Sequence, residues 1–91
     1  MQPSVFVDGV STEGDILRAL NRAADILAPG AGRADIASVS VSGRLRPDAG
    51  SALALLRLAE GVAAGRHLRQ LVHLSGDAFV VTLSAADDAS W

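Results

Sequence analysis

The chain has no cysteine. That excludes disulfide staples, thiolate metal ligands and cysteine nucleophiles, and it fits a reducing compartment. It also has no lysine and no tyrosine, and all eight of its basic residues are arginine. Aromatic side chains are scarce: Phe6, Phe79 and Trp91 are the whole set, too few for a platform on which nucleic-acid bases stack. The formal net charge is −2, and a phosphate backbone is held by clustered positive charge. Nucleic acid is therefore not an expected partner. No apolar run nears the roughly 18 residues that a membrane span needs. Met1-Gln2-Pro3-Ser4 has no basic segment leading into an apolar one, so no signal peptide is expected. The sequence is read as cytoplasmic, with no membrane partner.

Alanine and glycine are plentiful instead. Together with arginine in place of lysine they carry the mark of GC-rich codons, a bacterial composition that needs no selected role for arginine. Hydrophobic residues make up 49% of 91 positions. That suits one small domain, residues 1–91, able to fold alone with modest stability.

The strongest local signal is a hairpin. Leu68-Arg69-Gln70-Leu71-Val72-His73-Leu74-Ser75 and Ala78-Phe79-Val80-Val81-Thr82-Leu83-Ser84 flank Gly76-Asp77. Glycine at the first central position suits a type II′ turn, whose twist matches the flanking strands. That turn pairs Ser75 with Ala78, Leu74 with Phe79, His73 with Val80 and Val72 with Val81. Side chains alternate across a strand, so Leu68, Val72, Leu74, Phe79, Val81 and Leu83 share a core face. Arg69, Leu71, His73, Val80, Thr82 and Ser84 share a mixed one.

Upstream, Ser4 to Asp8 reads as a short strand closed by an Asp8-Gly9 turn. Thr12-Glu13-Gly14-Asp15 has capping-box spacing, a hydroxyl with an acid three residues on. Ile16, Leu20, Ala23 and Leu27 then recur at helical spacing, which predicts a helix over residues 13–27, stopped by Ala28-Pro29-Gly30. From Asp35 to Leu45, apolar residues at Ala37, Val39, Val41, Gly43 and Leu45 alternate with Ser38, Ser40, Ser42 and Arg44. A strand buried on both faces reads as a continuous apolar run, so this sheet has one covered face and one polar face. A second helix starts with Asp48 or Ser51 as its cap and ends at Gly65. Its sheet-facing stripe is Ala52, Leu55, Leu56, Ala59, Val62 and Ala63.

The expected order is βαβαββ. Right-handed crossovers place both helices on one face of a mixed sheet, giving a two-layer α/β sandwich with a C-terminal hairpin.

Chemistry-bearing residues are thinly spread. His67 and His73 have no third donor at metal-ligand spacing, and no metal or cofactor is expected. Gly30-Ala31-Gly32 follows a helix instead of opening one, which is the wrong order for a phosphate loop. Ser40, Ser42, His73 and Thr82 fall on the polar sheet face, where a small molecule or a catalytic pair is one alternative. There is no nucleophile elbow of the Gly-x-Ser-x-Gly kind.

Val39 to Leu45, the Leu-rich helix after it, and His73 to Val80 loosely resemble part of a STAS domain, over about half the chain. In that family a strand leads into an Asp-Ser-Ser-Gly phosphoacceptor loop before a further helix. Here the matching place reads Val81-Thr82-Leu83-Ser84. The resemblance implies a phosphorylation switch on Thr82 or Ser84 as a further alternative, without the family's own acceptor motif.

The leading expectation comes from the second helix. Leu53, Ala54 and Leu58 lie off its sheet-facing stripe, and only Arg57 and Glu60 are charged. A helix that is apolar nearly all round is covered on more than one side. Leu53, Arg57 and Leu58 are therefore candidate interface residues. The chain reads as a non-enzymatic interaction module with a regulatory or accessory role, paired with itself or with another protein.

Overall fold

The computed structural model describes residues 4–27, 38–46 and 48–85. The elements run β1 (Ser4–Val10), α1 (Glu13–Ile26), β2 (Ser38–Arg44), α2 (Ala49–Arg66), β3 (Leu68–Ser75) and β4 (Ala78–Ala85). The four strands form one sheet in the order β1-β2-β4-β3. β1 and β2 are parallel, while β4 is antiparallel to both β2 and β3. Both helices cover one face, as the alternation in β2 predicts. Val39, Val41 and Gly43 are buried and the three serines that alternate with them, Ser38, Ser40 and Ser42, are not.

The hairpin has the predicted register, with Ser75 opposite Ala78, Leu74 opposite Phe79 and His73 opposite Val80. Gly76 takes φ +61° and Asp77 stays at negative φ, the pattern of a type II′ turn. Phe79, Val81 and Leu83 of β4 are fully buried beneath the helices. They meet Ile16, Leu20 and Ala23 of α1 and Leu55, Ala59 and Val62 of α2 in a single core.

Four local readings change. β1 does not end at Asp8-Gly9. Gly9 takes φ +73°, the register against β2 shifts there, and the strand goes on to Val10. A Gly in a strand marks a bulge as readily as a turn. α1 ends one residue early, with Leu27 as its cap, and β2 stops at Arg44, one residue before Leu45. The Ala28-Pro29-Gly30 stop, the glycine connector and Asp35 to Ala37 lie outside the described residues. α2 runs past Gly65 to Arg66, and His67 caps it at φ 54°, ψ 47°. Finally, Leu56 leaves the sheet-facing stripe. It is 40% exposed, while Leu58, read as off that stripe, is half-buried against the core. α2 is rolled so that Leu58 lies beside Leu17 and Asn21 of α1.

The helices lie side by side and point the same way. At their starts, Thr12 and Asp15 form the predicted capping box, each bonding to the other's backbone N–H at 3.2 Å. Asp48, not Ser51, caps α2: its Oδ1 accepts from the Ser51 N–H at 2.7 Å. At their far ends Arg66 Nη2 meets Asp25 Oδ1 at 2.8 Å.

Candidate functional site

The helix-free face of the sheet gathers the residues the sequence singles out. Two rows cross its middle. In one, Ser4, Ser40, Thr82 and Leu71 stand side by side; in the next stand Phe6, Ser42, Val80 and His73. All four polar-face candidates, Ser40, Ser42, His73 and Thr82, are thus brought onto one surface. Only Ser40 and Thr82 are direct cross-strand neighbours.

That spacing bears on chemistry. His73 and Ser42 share a row but are separated by β4, so their backbones are about 10 Å apart at ordinary strand spacing. Thr82 is diagonal to His73, about 7–8 Å away on the backbone. A serine nucleophile needs its base within hydrogen-bond reach. The rows supply hydroxyls and an imidazole, but not as adjacent partners. Thr82 and Ser84 sit inside β4, which is paired on both sides. A kinase acts on an extended, freely presented segment, and these hydroxyls belong to a central strand.

What the face does present is apolar area. Phe6 is 69% exposed and Leu71 is 70% exposed. They stand on the two edge strands, with small hydroxyl residues between them. Val80 adds exposed area in the Phe6 row. Sequence reading placed Leu71 and Val80 on this face but missed Phe6, because the face of β1 follows only from its register with β2. Fixed charges stand at the ends. Arg69 is opposite Ser84 at one end. At the other, Arg44 Nε lies 3.6 Å from Asp77 Oδ2, an exposed pair.

On the helix layer, of the three interface candidates Leu53 is 50% exposed, Arg57 is exposed and Leu58 is half-buried against the core. Leu17 of α1 and Leu56 add to the exposed apolar area there. A shallow cavity of about 310 Å³ runs between the helices, bounded by Leu17, Asn21, Arg57, Leu58 and Gly61.

Another cavity, of about 340 Å³, lies where β1 and β2 end and both helices begin. Ser11, Thr12, Arg46 and Ser51 line it above Ile16 and Leu45. Ser11 is 8% exposed, and its Oγ has no hydrogen-bond partner. That hydroxyl is tucked beside Gly43 and the Phe79 ring. Glu13 is the carboxyl that lines this cavity, while two neighbouring acids at the helix starts are engaged with backbone N–H groups. Asp15 is held below its ordinary value of 3.8 by the Thr12 backbone N–H, then by the Thr12 hydroxyl. Asp48 is lowered from 3.8 chiefly by the Ser51 backbone N–H. Both acids serve as helix caps.

Among the described residues, no three His, Asp or Glu side chains are grouped to hold a metal ion. No described helix is long and apolar enough to cross a membrane. No family model matches the chain, and no curated protein matches it.

Proposed function

We propose that this chain is a non-enzymatic interaction module that works as a homodimer in a regulatory or accessory role. The observation that carries the reading is apolar area left on both outer surfaces. Phe6 and Leu71 are each about seven-tenths exposed on the sheet, and Leu53 is half exposed on α2. Scattered single apolar residues are normal on a monomer, but contiguous patches of a few hundred Å² mark interaction sites. Here large apolar side chains stand exposed on both layers of a chain of 91 residues. The separation of His73 from the serines supports a binding role over a catalytic one.

Sedimentation equilibrium at micromolar concentration tests this. The expected mass is twice the chain's 9.3 kDa. A single-chain mass up to a few hundred micromolar rejects the homodimer.

A further inference from the structure

We infer that the open sheet face, not α2, is the surface on which the two copies meet. This rests on the homodimer reading above and goes further by naming the interface. Area favours it. Four strands about 4.8 Å apart, of seven or eight residues each rising about 3.3 Å, present a face of roughly 450 Å² before side-chain relief is added. A specific interface clears about 1,000 Å² counted over both partners. Two such faces reach that figure once the Phe6 and Leu71 side chains project from them. The exposed ridge of α2 is narrower: Arg57 and Glu60 interrupt it, and Leu58 is already turned inward.

Charge favours it too. The two middle rows hold no permanently charged side chain, and Arg69 and the Arg44–Asp77 pair stand at the ends. An interface has that anatomy, an uncharged centre with a polar rim.

The shape selects the arrangement. Phe6 and Leu71 stand on opposite edge strands, one row apart, with serines and Thr82 forming the low ground between. A two-fold axis along the strands lays β1 of one copy over β3 of the other. Each Phe6 ring then enters beside the partner copy's Leu71, and the one-row offset keeps the two from colliding. Sheets pack face to face at about 10 Å in just this aligned manner. The contact is isologous, so it closes at two copies.

The test compares three variants with wild type by sedimentation equilibrium, with circular dichroism and the urea midpoint confirming that each is folded. Phe6→Glu with Leu71→Glu puts charge in place of the two apolar side chains that anchor the contact. Ser42→Arg blocks its centre from an independent position. Leu53→Glu with Leu56→Glu charges the α2 ridge. The side chains changed all point away from the core. Both sheet variants are expected to raise the dimer Kd at least about 100-fold, the scale of losing central anchors, while the α2 variant keeps it within about threefold. If wild type is a dimer and the sheet variants remain dimers at the same Kd, the sheet-face assignment is overturned and the homodimer reading stands. If wild type is monomeric throughout, both are overturned.

Discussion

At Gly43 an added methyl group would stand 3.0 Å from the Phe79 ring and 3.1 Å from Ser11 Oγ. Phe79 is the largest fully buried side chain among the described residues, packed with both helices in the core, so its ring cannot simply swing away. Gly43→Ala is therefore expected to cost about 1–3 kcal/mol, the usual scale of overpacking. A lower urea midpoint with an unchanged slope is the readout. Ser11 is the opposite case. Its buried hydroxyl has no partner, so the native fold carries a desolvation cost with no bond to offset it. Ser11→Ala is expected to leave stability unchanged or raise it by up to about 1 kcal/mol. A loss beyond that shows the hydroxyl is bonded in solution. The sequence shows Gly43 only as one apolar position in an alternating strand. Its actual constraint is the approach of a ring from far along the chain, which no local pattern encodes. The same applies to Ser11, which reads as an ordinary linker residue before the capping box.

Elements were legible wherever the local pattern and the tertiary environment agree. The II′ hairpin, the capping box and the β2 alternation each state their own geometry, and the structure has all three. The ends of elements were harder, because glycine has two uses in them. Gly9 bulges a strand instead of ending it, and Gly65 stays helical while His67 takes the left-handed cap. That last position is tested directly. A side chain with a Cβ is strained at φ 54°, and Gly is the usual residue there. His67→Gly is expected to raise stability by about 0.5–1 kcal/mol, and His67→Val to lower it by about 1–3 kcal/mol, the cost of a strained backbone position. The His67 side chain is exposed, so any gain from Gly reports backbone relief and not lost packing. A His67→Gly variant that melts lower than wild type sinks this account of the cap. The face assignment of α2 was the other miss. With apolar residues on most sides, its sequence does not say which way it rolls, and only the neighbouring α1 decides between Leu56 and Leu58.

At the scale of the whole molecule, the sequence specifies two layers and leaves one side of each unassigned. The alternating serines of β2 announce an open face, yet not that Phe6 and Leu71 would frame it, since strand order decides which residues share a row. β4 lies between β2 and β3, and this places the two bulky residues on opposite edges and the hydroxyls in the middle. Such a face is wet in a monomer and covered in the proposed dimer. Pairing has a thermodynamic signature that needs no variant. When two folded chains unfold to two separate ones, dilution favours the unfolded side. Each tenfold rise in protein concentration adds about 1.4 kcal/mol per dimer to the stability, one decade of an equilibrium constant. Two chains of 91 residues unfold with an entropy of roughly 0.4 kcal/mol/K at about 2.1 cal/mol/K per residue. The quotient predicts a Tm that climbs by about 3–4 °C per decade of concentration above the dimer Kd. Calorimetry across two decades measures it. Phe6→Glu with Leu71→Glu should flatten the dependence without broadening the transition, because both side chains lie outside the core and the monomer keeps its fold. A wild-type Tm that stays constant over that range means the open face is solvated in the folded state, and its hydroxyls then serve as the wet surface of a monomer.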